Sequence, residues 1–390
     1  MRTRKKYFYL SNIWLYLSLL CCLSACQLTP TAVTPQPSRA PSKATPPSTN
    51  SSNELHFPPQ PTQAGSTITP LPTNTPTQPA NQLTIQPMAD DHGRPVLAFY
   101  YPWYNQQSWN RAQMSDLPTI QYNSGDDITI DRQLDYAAGA GITGFISSWW
   151  GPADKTDVNF GKLLTHAATL DTQYHYHFAS SLYIESDAPN LNSSDKLVTA
   201  LSYINNHYSN SPYFFHWQGK PVLFFWDPLG NGRTLTQWSS IRQQVDPNRQ
   251  MIWSAEGVNT DLLSVFDGIH LFSAGWWGLQ NNTMPQVDQG FRNQINAYNQ
   301  AHNTQKIWAA GVMPGYDDTR VPGRKGTFIV PRNNGATYTT SWNAAIASTP
   351  DWITITSFNE WFEGAMIEPS VTYGNQYLDL TRQFAQRWHG

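Results

Sequence analysis

The sequence from residue 93 to residue 390 reads as a (β/α)8 TIM barrel, on three observations. Short apolar or β-branched runs recur eight times, helix-like stretches separate them, and aromatic and acidic residues gather just past the C-terminal ends of the runs. The runs fall at 96–101, 144–149, 175–183, 221–226, 251–255, 268–272, 307–312 and 352–357. Helical patterns fall at 131–138, 159–170, 195–207, 288–302, 338–347 and 373–388, with weaker ones at 235–245 and 261–266. Strands alternating with helices call for a parallel sheet. Eight of each, with the chain ending soon after the last helix, is barrel arithmetic; a doubly wound open sheet is the alternative.

In a barrel the strand ends form the active-site face. The first run leads into Tyr101-Pro-Trp103-Tyr104 and the second ends in Trp149-Trp150. The third ends in Glu185, the fourth in Trp226-Asp227 and the fifth in Glu256. The sixth leads to Trp276-Trp277, the seventh to Tyr316-Asp317-Asp318, and the eighth to Asn359-Glu360-Trp361-Phe362-Glu363. Rings and carboxyls together suit a saccharide, whose C–H faces stack on aromatic side chains and whose hydroxyls need acceptors.

The N-terminal part divides in two. Arg2, Arg4, Lys5 and Lys6 precede an apolar run that ends in Leu23-Ser24-Ala25-Cys26. That is the order of a secretory signal, expected over residues 1–26. Its end resembles a bacterial lipobox, in which Cys26 takes a lipid and becomes the new N-terminus. An ordinary signal peptide or an uncleaved anchor helix are the alternatives, though Ser11 and Asn12 interrupt the run and disfavour a permanent span. Residues 27–92 are expected to be a disordered linker. Pro, Thr and Ser dominate it to about residue 81, Phe57 is the one aromatic there, and such a composition buries too little to offset chain entropy.

Charge and cysteine usage exclude several classes. The 390 residues carry a net charge of -3, and only 13% are charged, with no basic block after the first residues. Nucleic acid is therefore not an expected partner. The three cysteines, Cys21, Cys22 and Cys26, all lie in the signal, so the domain has no disulfide, thiol nucleophile or thiolate metal site. Sixteen Trp, nineteen Tyr and seventeen Phe supply a packed core instead. Neither a cofactor nor a metal is expected, the lipid anchor is the expected membrane contact, and the chain is expected to act as a monomer on the extracytoplasmic face.

Cleaving a glycosidic bond needs one group to protonate the departing oxygen and a second, anionic group near the anomeric centre. Glu360 and Glu363 lie three residues apart just past the last strand. In a tight turn or a first helical turn both face one pocket, and Trp361 and Phe362 limit water there. As a bare E-x-x-E the pair is a weak signal; its place at a strand end among rings gives it weight. Glu256 with Glu360 is a rival acid pair.

The run Trp352-Ile-Thr-Ile-Thr-Ser-Phe-Asn-Glu-Trp-Phe-Glu-Gly-Ala-Met-Ile-Glu-Pro369 resembles the signature of glycoside hydrolase family 99, the endo-α-mannosidases, and their family-99-like relatives. Phe99-Tyr-Tyr-Pro-Trp-Tyr104, Ser147-Ser-Trp-Trp-Gly-Pro152 and Pro314-Gly-Tyr-Asp-Asp-Thr319 match in the same order, so the resemblance spans the domain. It implies a (β/α)8 fold and retaining hydrolysis without an enzyme nucleophile. Glu360 would assist the sugar's 2-hydroxyl in attacking the anomeric carbon, giving a 1,2-anhydro sugar. Glu363 would be general acid, then general base. The pattern departs at Phe362, where the family has His, and at Ala365-Met366, where Thr-Gln is expected. Those departures leave the sugar open.

The expected substrate-binding set is Tyr101, Trp103, Tyr104, Trp149, Trp150, Tyr316, Asn359 and Trp361. Packing at the barrel mouth is the competing reading for the indoles. Asp317 and Asp318 are read either as site residues or as loop caps paired with Arg320, and Glu185 and Asp227 as possible hydroxyl ligands. Glu368 is read as fixing its loop. His175 and His177, two apart on the third run, are read as one strand face rather than a metal pair. A non-catalytic carbohydrate-binding lipoprotein keeps the rings without the chemistry, and a structural envelope protein needs neither.

Overall fold

The computed structural model describes residues 93–390; the signal, Cys26 and the linker lie outside the described residues. Eight parallel strands close on themselves. They are β1 (Val96–Tyr100), β2 (Gly144–Trp149), β3 (Ser181–Glu185), β4 (Lys220–Trp226), β5 (Ile252–Glu256), β6 (Gly268–His270), β7 (Ile307–Val312) and β8 (Trp352–Ile355). Closure comes from β1 pairing with β8, where Leu97 faces Thr354, and from β3 pairing with β4, where Tyr183 faces Phe224.

Strand alternation sorts the side chains into two cores. On β1, Leu97 and Phe99 point into the barrel with Ile146, Tyr183, Phe224 and Trp352. Val96, Ala98 and Tyr100 point out and pack under the helices with Phe145, Trp149 and Leu182. The barrel interior is full: Phe99 meets Phe272 edge-on at 4.9 Å, and His270 lies 5.2 Å from the Phe224 ring. Burial holds His270 neutral, with its pKa pushed down to about 3.

Seven α-helices surround the strands among the described residues, not eight. They are α1 (Asp127–Gly139), α2 (Lys155–Tyr174), α3 (Ser194–His207), α4 (Leu235–Val245), α5 (Met284–His302), α6 (Ala336–Ala347) and α7 (Gln376–His389). The helical pattern expected near 261–266 is only a five-residue 3-10 turn, Thr260–Ser264. Asp267 accepts from the Trp253 backbone at 3.0 Å and returns the chain to the sheet at once, so no longer helix fits.

The third strand also starts later than its apolar run. His175 ends α2 in the left-handed region, at φ 54°. Tyr176 and Phe178 are buried, and His177 lies at the surface 3.6 Å from Asp171. The two histidines therefore share no strand face. No described helix is long and apolar enough to cross a membrane, and no group of three metal-ligating side chains occurs among the described residues.

One carboxyl in the outer core is unusual. Asp288 on α5 is buried, and neither of its oxygens has a hydrogen-bond partner among the described residues. Burial pushes its pKa up to about 8, so the fold favours the neutral acid. Stability from that preference is fully present below the carboxyl's ordinary range and is lost as pH rises through about 8. Asp288→Asn is expected to melt close to wild type near pH 4 and a few degrees above it near pH 8. A melting difference independent of pH would contradict this account.

Candidate active site

The site is assembled at the seam between the first and last strands. The chain leaves β8 and makes a closed excursion back onto itself. Phe358 N–H donates to Phe99 O at 2.8 Å, Ser357 N–H to Ala365 O at 2.9 Å, and Glu368 N–H to Phe358 O at 2.9 Å. Asn359 binds the other strand. Its Oδ1 accepts the Tyr101 N–H at 2.7 Å and its Nδ2 donates to Tyr101 O at 3.1 Å. Both ends of one amide are spent on one backbone position, which locks the β1 exit to the β8 exit.

Glu360 and Glu363 flank a tight turn rather than a helix, with Gly364 N–H reaching Trp361 O at 3.3 Å. The turn needs glycine at its end. Gly364 has φ +59°, and a Cβ there would lie 2.6 Å from Ser115 Oγ and 3.2 Å from Asp317 O. Arg332 ties the far side, donating to Gly364 O at 2.9 Å and Met366 O at 2.7 Å.

The two carboxyls have different surroundings. Glu360 is buried, 5% exposed, and its backbone N–H donates to Ser357 Oγ at 2.7 Å. Its Oε1 accepts from Phe362 N–H at 3.2 Å and from Tyr104 Oη at 3.4 Å. Burial and then the Glu363 charge push its pKa well up, against Arg324 and these two donors. Glu363 is more open and pairs with Arg324 at 2.8 Å. Tyr101 lies among Glu360, Glu185 and Glu363, and burial followed by those charges raises its hydroxyl well above its ordinary range.

Beneath the turn is a third carboxyl, Glu368, fixed as its loop position suggested. It accepts from Gln133 at 2.7 Å, Tyr122 at 2.8 Å and Trp361 Nε1 at 3.1 Å. Burial pushes it up to about 7 despite those donors. Glu185, at the end of β3, accepts from Ser148 Oγ at 2.6 Å; burial takes it to about 7 as well. Trp150 Nε1 reaches the same Ser148 Oγ at 3.3 Å, and its ring meets Trp103 edge-on at 5.7 Å.

The expected binding residues therefore separate. Tyr101, Trp103, Tyr104 and Trp150 stand with the carboxyls. Trp149 does not. It is on the outward-facing parity of β2, wholly buried, with Nε1 donating to Asp157 at 3.0 Å and its ring over Tyr203 of α3. Trp361 and Asn359 are also wholly buried and work inside the loop, so they support the site from below rather than face a ligand. Tyr316 is linked to Glu363 through Arg324, whose Nη1 donates to Tyr316 Oη at 3.1 Å.

One further expectation is corrected by the loop after β7. Asp318 pairs with Arg324 at 3.2 Å, while Arg320 donates to the backbone at Arg111 and Met114. Glu256, the rival partner of Glu360, ends β5 and is pushed up to about 8 by burial and then by Asp227. Sequence reading did not single out Arg324, Trp109 or Tyr122. The run Pro322-Gly-Arg-Lys-Gly326 has no periodicity to place its cation, while Trp109 and Tyr122 lie in a long excursion between β1 and α1.

Residues 111–387 match the family model for glycosyl hydrolase family 99. The chain belongs to that family. As a family 99 member it is a glycoside hydrolase. It is 26% identical over 330 residues to the glycoprotein endo-alpha-1,2-mannosidase of Mus musculus, covering 76% of this chain and 69% of that protein. The Rattus norvegicus protein of the same name is 27% identical over 310 residues, with 64% of its length spanned. Among solved structures, the family 99 endo-alpha-mannosidase from Bacteroides thetaiotaomicron superposes with a TM-score of 0.64 at 24% identity, over 77% of this chain and 98% of that one. That likeness supports the barrel fold.

The different settings of the two neighbouring indoles give a direct test. Trp149→Ala should cost about 3–5 kcal/mol of stability and leave KM of the surviving folded enzyme unchanged. Trp150→Ala should leave the melting temperature nearly intact and raise KM several-fold on an oligosaccharide. Steady-state kinetics with thermal unfolding on both variants checks the pair; a raised KM in the Trp149 variant would contradict the outward placement.

Proposed function

We propose that this family 99 enzyme is an endo-acting hydrolase of α-mannosides or closely related α-linked saccharides, exported and held at the membrane by a lipid on Cys26. The observation that carries the chemistry is the placing of Glu360 and Glu363 on one turn, in contrasting surroundings, over a floor of Tyr101 and Tyr104. The mannosidase names of its relatives support the substrate class, and the signal-like N-terminus supports the anchor.

In this reading Glu360, in its carboxylate form, takes the proton of the sugar's 2-hydroxyl as that oxygen closes on the anomeric carbon. Glu363, as the acid, gives its proton to the departing glycosidic oxygen. A 1,2-anhydro sugar results. Water then opens it at the anomeric carbon, losing its proton to Glu363, while Glu360 returns a proton to the 2-oxygen. The two inversions give net retention. Trp103 and Trp150, beside Ser148 and Glu185, form the wall on which sugar rings stack.

Glu363→Gln should lower kcat on an unactivated oligosaccharide by about 10²–10⁴-fold, with binding still measurable by calorimetry. Glu360→Gln should be similarly impaired, and Glu256→Gln should keep most of its turnover. Chromatography of products from α-mannans and α-glucans, with the anomer first released followed by NMR, checks linkage and retention. A dead Glu256→Gln beside an active Glu360→Gln would overturn the assignment. For the anchor, Cys26→Ala should abolish incorporation of labelled fatty acid and release the enzyme from membranes; a labelled variant would contradict lipidation at that residue.

A further inference from the structure

The reading above gives Glu363 the proton and leaves Glu360 without one, whereas the free site is arranged the other way round. Glu363 lies 2.8 Å from the Arg324 guanidinium, a contact that calls for a carboxylate. Glu360 is enclosed by protein, where a second negative charge so near the first is unfavourable. Arg324 is no loose surface cation. Its side chain is 6% exposed, and Asp318, wholly buried, holds it at 3.2 Å. Asp318 itself is fixed by the Phe328 N–H at 2.9 Å and by Tyr316 Oη at 3.2 Å. A closed loop thus holds one positive charge in contact with Glu363.

Resting on that reading, we propose that Arg324 is a positioning residue that stores the pair's single proton on Glu360 in the free enzyme, and that an incoming oligosaccharide moves that proton to Glu363. The balance is simple. One proton leaves Glu360 and one arrives on Glu363, so the pair keeps one negative charge throughout. The substrate drives the exchange by giving each carboxyl a new partner. Its 2-hydroxyl offers Glu360 a hydrogen-bond donor, which favours the carboxylate. Its glycosidic oxygen offers Glu363 an acceptor in place of Arg324, which favours the acid. The charged and titratable groups facing Glu363 are Arg324, Glu360, Glu185 and Tyr101, with Asp318 and Tyr316 behind the guanidinium. Arg324 is the one cation among them. Burial and Glu363 raise Glu360, consistent with where the proton rests.

Two measurements test this on the whole enzyme. The first is the pH profile of kcat/KM. In Arg324→Gln, loss of the positive charge should move both limbs up by about one unit, whereas Arg324→Lys should keep the wild-type limbs with a lower maximum. Unmoved limbs in Arg324→Gln, with similar losses in both variants, would mean that the arginine only supports the loop and would overturn the proposal. The second is infrared difference spectroscopy of the ligand-free protein, which needs no turnover. The protonated-carboxyl band assigned to the pair should vanish in Glu360→Gln and persist in Glu363→Gln; the reverse would overturn the proposal. Full activity in Glu363→Gln would instead overturn the underlying assignment of the acid, so the two failures are told apart.

Discussion

Everything at the mouth of this barrel depends on one amide. Asn359 grips the Tyr101 backbone with both its donor and its acceptor, and so welds the exits of the first and last strands. That clamp, beside the Phe358–Phe99 backbone bond, holds the aromatic run from β1 against the acidic turn from β8. With it, Tyr101 and Tyr104 are carried to Glu360 and Glu363 from about 260 positions away in the chain. The clamp is buried, where a lost hydrogen bond costs more than at the surface. The same amide donates to Tyr122, which bonds Glu368, so the weld continues into the floor.

Above the weld, burial sets the chemistry and hydrogen bonds tune it. Glu185, Glu256, Glu360 and Glu368 are all raised by desolvation, yet each has different company. Glu368 faces three donors and is structural. Glu185 faces a serine hydroxyl beside two indoles. Glu256 has Asp227 nearby. Glu360 has its second carboxyl on the same turn, with the Arg324 cation acting on both, and that asymmetry is what an acid–base pair requires.

Much of this was legible in the sequence. Eight strand runs, the strand-end position of Asn359-Glu360-Trp361-Phe362-Glu363 and the clustering of rings at one end all follow from local patterns. The missing helix between β5 and β6 was not legible, because a short apolar stretch has the same composition in a 3-10 turn as in a helix. Trp149 and Trp150 were indistinguishable as adjacent indoles; β2 ends at Trp149, which is buried against Tyr203 of α3, and the chain beyond the strand carries Trp150 to Trp103 and Ser148. Asn359 looked like a sugar ligand because its real partner is remote in sequence. Arg324 was invisible for the same reason: its position is set by Asp318 and the loop geometry, not by periodicity.

Phe362 stands between the two acids, its ring 6.0 Å from that of Tyr104, which in turn stacks on Trp109 at 5.1 Å. A phenyl ring neither takes up nor releases a proton. An imidazole in that stack would add a titrating group to the turn itself. With carbon there instead, the turn itself offers no titrating group beyond its two carboxyls. Such a turn gives up one route of proton exchange, and the groups that enter the cleft gain weight in deciding which carboxyl holds the proton.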